Sequence, residues 1–224
     1  MNIKDHLAQI RAKLAPGVTL LAVSKTKPVS DVLEAYEAGQ RAFGENRVGE
    51  WREKAKELPS DIQWHFIGTL QRNKVKYLDS RIALIHSVDR VSLAKEIQRR
   101  AHKKGYVQDV LLEVNIGGEA QKGGIAPKEL PELLAFCQTL PNLRLRGLMT
   151  IIPNTQDEGE QRQYFEAMKG LFDTMKAAGG SAFDTLSMGM SGDYEIAMVC
   201  GSTLVRVGSA IFGARPPQEK HGSL

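Results

Sequence analysis

Eight short apolar runs, each followed by a longer stretch of helical period, occupy almost the whole of this chain. The runs span residues 19–24, 41–44, 62–67, 82–87, 109–115, 143–149, 185–188 and 203–207. Between them the spacing is that of amphipathic helices; over 92–104, Leu93, Ile97 and Ala101 share one face. A parallel neighbour in a sheet is reached only by a crossover, so strands alternating with helices imply a parallel sheet. Eight such units imply a closed (β/α)8 barrel, with a doubly wound open sheet as the alternative that the pattern alone leaves open. Punctuation agrees with the helices. Ser30 before Asp31, Pro127, and Asp157 ahead of an acidic turn read as starts, and Gly39, Gly105 and Gly179 stand where helices stop.

The chain has 224 residues, and neither repeats, low-complexity stretches nor a linker divide it. One domain is expected over 1–213, with the polar, proline-containing segment 214–224 as a mobile tail. A net charge of +4 is modest, and Lys and Arg alternate with Asp and Glu over 50–57 and 95–104. Those stretches read as solvated helix faces, not as a nucleic-acid stripe. Cys137 and Cys200 are far apart and outside any CxxC spacing, so buried small hydrophobes are expected in place of a disulfide or a metal site. The first seventeen residues read as a charged amphipathic helix without the apolar region of a signal peptide. No run approaches the roughly 18 apolar residues of a membrane span. A cytoplasmic protein is expected.

The segment LLAVSKTKP, residues 20–28, is the most informative in the chain. Lys25 and Lys27 sit where an apolar strand ends, and residues two apart on a strand share a face. Barrels keep their chemistry at the C-terminal ends of strands. A lysine partly desolvated there gains the neutral amine needed to attack an aldehyde. On this segment alone, two solvated loop lysines are the competing reading. The seventh and eighth runs add a second signal. LSMGMSGDYEIAM passes from strand through a tight turn to a helix that Ser191 and Gly192 would open, and GSTLVRVGSAIFG sets Arg206, Gly208 and Ser209 at the end of the last run. Barrels often hold phosphate between the loops after strands seven and eight, with hydroxyls and backbone N–H groups as donors. GGEAQKGG is not a P-loop, since Gly124 stands where a lysine is required. Lys122 within it reads as a loop charge near the open mouth.

Taken in order, AVSKTKP, FGENRVGE, WHFIGTLQRNKVK, EVNIGGEAQKGG, RGLMTI, SMGMSGDYEIAM and GSTLVRVGSAIFG resemble the pyridoxal phosphate homeostasis proteins. These are single-domain relatives of the alanine racemase N-terminal barrel. The resemblance runs from about Leu20 to Gly213. It implies an alanine racemase-type (β/α)8 barrel that binds pyridoxal 5′-phosphate, with Lys25 as the Schiff-base lysine and Arg206 facing the pyridine nitrogen. It assigns Ser191, Gly208 and Ser209 to the phosphate, and puts Asn46 and the strand end at Met149 near the cofactor ring. His65 is implied to line the site without taking part in chemistry.

Pyridoxal phosphate acts as an electron sink when its ring nitrogen is protonated. An arginine cannot supply that proton, so Arg206 argues against transamination and leaves racemisation open. A racemase needs an acid–base group on each face of the substrate. In alanine racemase the second is a tyrosine from another domain across the dimer, which is not expected here. Of the five tyrosines, only Tyr194 falls near the seventh strand end. The resemblance therefore implies a vitamin B6 carrier or buffer that passes its cofactor to apo-enzymes. A low-activity amino acid racemase is the alternative, and a barrel for some other phosphate is the third reading.

Overall fold

Alternate residues of a strand face opposite sides, so a barrel strand needs one set of side chains for its interior and another for the helices outside. The chain satisfies both. In the computed structural model, which describes residues 2–213, all eight expected strands form. They are β1 Thr19–Val23, β2 Ala42–Glu45, β3 Gln63–Phe66, β4 Ile82–Val88, β5 Gln108–Glu113, β6 Leu143–Met149, β7 Thr185–Ser187 and β8 Leu204–Val207. Each pairs in parallel with the next, and β8 returns to β1 with Leu21 opposite Arg206, closing the barrel. The open-sheet alternative is thereby excluded. The expected tail at 214–224 lies outside the described residues.

Inside the barrel, Leu21, Leu84, Leu111, Met149 and Leu204 pack with Ala42. Outward side chains such as Phe43, Trp64 and Val205 join the helices in a second, larger cluster. Two residues beyond Leu84 and Leu204 come His86 and Arg206, so the interior turns polar toward the C-terminal ends of the strands. Strand β6 interrupts the simple alternation. Leu145 lies opposite Val110 and Gly147 opposite Leu111, so the strand carries one extra residue. Leu143, Leu145 and Leu148 therefore face the helices while Met149 turns inward. Only glycine suits the bulge. Gly147 has φ +148°, and a Cβ there would lie 1.8 Å from the Thr185 carbonyl oxygen.

The helices are α1 Ile3–Lys13, α2 Val29–Glu37, α3 Val48–Glu57, α4 Val91–Lys104, α5 Leu130–Gln138, α6 Glu158–Gly179, α7 Tyr194–Val199 and α8 Ser209–Phe212. On α4 the buried residues are Leu93, Ala94, Ile97 and Ala101, the expected face. Asp157 caps α6 by accepting from the N–H groups of Gly159 and Glu160, and Gly105 ends α4 in the left-handed conformation. Three expected boundaries shift. α2 begins at Val29 behind Pro28, so Ser30 lies inside its first turn. Pro127 opens a 3-10 turn, Pro127–Glu129, that leads into α5. Gly179 is the last residue of α6, and Gly180, at φ +84°, ends it. A 3-10 helix, Arg72–Tyr77, takes the place of an α-helix between β3 and β4. Cys137 and Cys200 are buried free thiols. Among the described residues no helix is long and apolar enough to cross a membrane, and no group of side chains is arranged to hold a metal ion.

Candidate functional site

The C-terminal ends of β1, β2, β7 and β8 converge on a cavity of about 330 Å³ at the barrel mouth, within the size range of small-molecule sites. Six of the seven residues assigned from the sequence line it: Lys25, Asn46, Ser191, Arg206, Gly208 and Ser209. Met149 does not. The β6 bulge sends its side chain into the apolar cluster within the barrel, and it is 1% exposed. Among the described lining residues the only titratable groups are Lys25, Lys27 and Arg206. Three bases and no carboxylate make a cavity suited to an anion.

Lys25 lies in a turn, not on the strand itself. β1 ends at Val23, the Ser24 N–H donates to the Gly44 carbonyl, and the Lys27 N–H closes the turn on the Ser24 carbonyl. At its centre Thr26 has φ +65°, the one left-handed non-glycine among the described residues. That conformation costs a β-branched residue about 1–2 kcal/mol and persists only where neighbours impose it. Here they do. The Thr26 N–H donates to Glu50 on α3, and the Lys54 ammonium, also on α3, donates at 2.7 Å to each of Glu50, Glu45 and the Ser24 carbonyl. The Ser24 hydroxyl adds a 2.7 Å bond to Glu45. Burial pushes the Glu45 carboxyl upward in spite of the Lys54 charge. Because of this turn, strand alternation does not decide where Lys27 goes. Its ammonium donates to the carbonyls of Phe212 and Gly213 at the end of α8.

Arg206 is 4% exposed and tightly held. Nη1 donates to the Ser187 carbonyl at 2.9 Å and its hydroxyl at 2.6 Å, and Nη2 donates to the Thr150 carbonyl at 2.7 Å. Burial lowers its pKa to about 10, which leaves the guanidinium charged at neutral pH. The Ser187 hydroxyl lies 3.1 Å from His86 Nδ1, and His86 Nε2 lies 2.9 Å from His65 Nδ1. Burial holds His65 at about 4 and His86 well below the ordinary histidine value, so both rings are neutral at pH 7. The proton pattern follows from valence. Ser187 accepts from Arg206, so its O–H donates to His86 Nδ1, whose Nε2–H then donates to His65. His65 does not line the mouth; it borders a cavity with Asp109 and Arg146 at the other end of the barrel.

Just beyond β8, the N–H groups of Gly208 and Ala210 both donate to the Ser191 hydroxyl, at 3.1 and 3.5 Å. Two backbone donors thus already converge on one oxygen. Ser191 and Gly192 precede α7 without opening it; the helix begins at Tyr194 behind Asp193. Asn46 lies at the end of β2, and its Oδ1 is buried with no hydrogen-bond partner. Gly68 permits this closeness of chains, since a Cβ there would sit 2.4 Å from the Asn46 carbonyl oxygen.

Several residues that shape the site are not among those assigned from the sequence, although a signal for them is present. Glu45, His86, Glu113 and Ser187 each lie at or near the end of an apolar run, the same signal that picks out Lys25. Glu113 at the end of β5 is raised to about 7 by burial and by Asp89, against the opposing charges of Arg206 and Arg90. Lys122 pairs with Glu119 and donates to the Ile152 carbonyl, and it does not line the mouth. Tyr194 is packed in the core shared by barrel and helices and is 7% exposed.

The family model described as alanine racemase, N-terminal domain, matches residues 1–216. A pyridoxal phosphate homeostasis protein from Aquifex aeolicus is 48% identical over 197 residues, 88% of this chain and 86% of that one. The chain belongs to this family. PipY from Synechococcus elongatus, solved without PLP, superposes with a TM-score of 0.90 at 37% identity, covering 95% of this chain and all of that one. PipY solved with PLP bound gives a TM-score of 0.85 over the same shares of the two chains.

Proposed function

We propose that this chain binds pyridoxal 5′-phosphate in the barrel mouth and serves its homeostasis, holding the cofactor on Lys25 and supplying or buffering it. The observation that carries this reading is the cavity's polarity. An amine enters from the β1 turn, two backbone N–H groups converge at the end of the neighbouring strand β8, and a charged arginine lines the same cavity, with no carboxylate among the described lining residues. These groups fit the cofactor, which supplies an aldehyde able to condense with an amine, losing water, and a phosphate that seeks N–H and O–H donors. Gly208, Ser209 and Ser191 would hold the phosphate, with Ser191 giving up its role as acceptor for the Gly208 N–H. Arg206, held by Ser187 and Thr150, would present N–H donors to the ring nitrogen, keeping that atom an acceptor. The unpartnered Asn46 Oδ1 suits a donor beside the ring. Met149 would act from beneath, through packing.

Carriage is favoured over catalysis by what surrounds the amine. Lys27 is occupied by the α8 carbonyls, and Tyr194, the tyrosine a racemase would need, is packed in the core. We take apo-enzymes that use pyridoxal phosphate as the recipients and the cytoplasm as the place of exchange. The test is to load the protein, reduce it with borohydride and map the adduct by mass. A single adduct on Lys25 is expected. An adduct mainly on any other residue overturns the assignment, and multiple turnovers of α-hydrogen exchange in an amino acid, lost in Lys25→Ala, would favour the racemase.

A further inference from the structure

A second cavity, of about 640 Å³, adjoins the first across Asn46, which lines both. Its walls come from the start of α3 and from the 3-10 helix Arg72–Tyr77, in the motifs FGENRVGE and WHFIGTLQRNKVK, of which only Asn46 and Ile67 reach the barrel mouth. The floor is apolar, made of Val48, Phe66 and Leu70, all buried. The rim carries Arg47, Arg52, Lys74 and Tyr77. Tyr77 is 41% exposed and surrounded by cations. The Arg52 guanidinium lies 5.4 Å from its ring centroid, the Lys74 ammonium 5.9 Å and the Lys76 ammonium 4.9 Å.

These cations have no ion-pair partner, although the Arg52 charge is felt by Glu53 from beyond pairing distance. Among the described residues none of Arg47, Arg52, Lys74 or Lys76 has a carboxylate within ion-pair distance; Glu50, which also lines the cavity, is paired with Lys54, and Glu53 with Lys56. Elsewhere on the surface Lys and Arg are repeatedly paired, as in Arg99–Glu96, Arg144–Asp109 and Lys169–Asp173. Like charges gathered round one ring, over a desolvated floor, repel each other until an anion joins them. The same rim offers an aromatic face and the floor an apolar one, so the anion that fits carries a flat ring.

We infer that this cavity is a second ligand site, distinct from the barrel mouth, for an organic phosphate bearing a flat ring. Arg52 and Lys74 bind the phosphate, the ring lies against Tyr77 and Phe66, and Asn46 forms the wall common to both ligands. A nucleoside monophosphate and a simple aryl phosphate share this chemistry. Calorimetric titration with adenosine 5′-monophosphate, phenyl phosphate and inorganic phosphate separates them. The protein is first loaded with pyridoxal 5′-phosphate and reduced, so that the mouth is blocked. Should no adduct form, the reading of the mouth fails by itself, and the same titrations are run on the unmodified chain.

Saturable binding of about one equivalent of a ring-bearing phosphate is expected, much tighter than inorganic phosphate and weakened by salt. Arg52→Ala and Lys74→Ala, both at exposed positions, should each weaken it about ten-fold, the scale of one charge-assisted hydrogen bond. Tighter binding of the nucleotide than of phenyl phosphate assigns the site to nucleotides, and the reverse assigns it to aryl phosphates. Absence of saturable binding up to millimolar concentrations, or affinities indifferent to both substitutions, overturns the inference.

Discussion

Replacing Lys54 by Met should be among the most damaging single changes outside the cavity, although Lys54 does not line it. The Lys54 side chain is 6% exposed and Glu45 is fully buried, so the substitution strands a buried carboxylate and leaves the Ser24 carbonyl with the Lys27 N–H as its one remaining donor. Breaking a buried pair from one side costs about 3–5 kcal/mol, whereas removing both charges is often close to neutral. Against a total stability of about 5–15 kcal/mol, the single change is a large fraction. Equilibrium urea unfolding would read it: Lys54→Met should lose about 3–5 kcal/mol, and Lys54→Met combined with Glu45→Gln should recover at least half of that. The deficit should shrink toward low pH, because a protonated Glu45 needs no cation, and burial already pushes that carboxyl upward. Glu50 would also lose its brace, loosening the Thr26 turn, so retention of pyridoxal phosphate should fall with stability. A loss below about 1 kcal/mol, or a double variant as unstable as the single one, would refute the account of this network.

Two further outcomes follow from buried groups near the barrel mouth that do not line it. Glu113 titrates at about 7 in the fold against 4.5 for the unperturbed group, so the folded state holds its proton more tightly between those values. Stability should therefore fall by about 3 kcal/mol as pH rises from 4.5 through 7 and then level off, and Glu113→Gln should flatten that slope in urea titrations; a wild-type slope unaffected by the substitution would remove Glu113 from the explanation. Ser187→Ala removes one acceptor from Arg206 and leaves His86 Nδ1 without its partner, while the Ser187 and Thr150 carbonyls still hold the guanidinium. It should cost about 1–3 kcal/mol in urea and weaken cofactor retention by less than Arg206→Ala does; equal losses would mean that the hydroxyl alone sets the arginine.

The barrel is legible because its signal is distributed. Eight runs separated by helical stretches survive an error of one residue at any boundary, as the ends of β1 and β2 illustrate. The Lys25 and Arg206 ends are legible for a related reason, since a charge closing an apolar run is conspicuous. The turn at Thr26 is not. Its left-handed backbone is imposed by Glu50 and Lys54, more than twenty residues away, and nothing local in SKTKP announces it. The bulge at Gly147 hides in the same way. Alternation read through RLRGLM puts Leu145 and Met149 on one face, and the structure separates them. His86 and Ser187 escape notice because a single histidine or serine within an apolar strand is ordinary; only the closed barrel brings β4 and β7 near enough for one to partner the other. The second cavity is masked by composition, since the charges over 50–57 look balanced until the pairing of Glu50 and Glu53 leaves Arg52 out.

Closure of β8 against β1 has a consequence for the order in which the protein can become competent. Lys25 follows the first strand to leave the ribosome, whereas Arg206, Gly208 and Ser209 lie on and after the last. Domains fold as their chains emerge, yet contacts between the two ends of a sequence wait for the final segment. A nascent chain halted before residue 204 carries the amine but neither the guanidinium nor the converging N–H donors. On the proposed assignment, the seam of the barrel would act as a completeness check. A reactive aldehyde would then find its full set of partners only on a chain translated through its eighth strand, and unfinished chains would have no preformed site with which to sequester it.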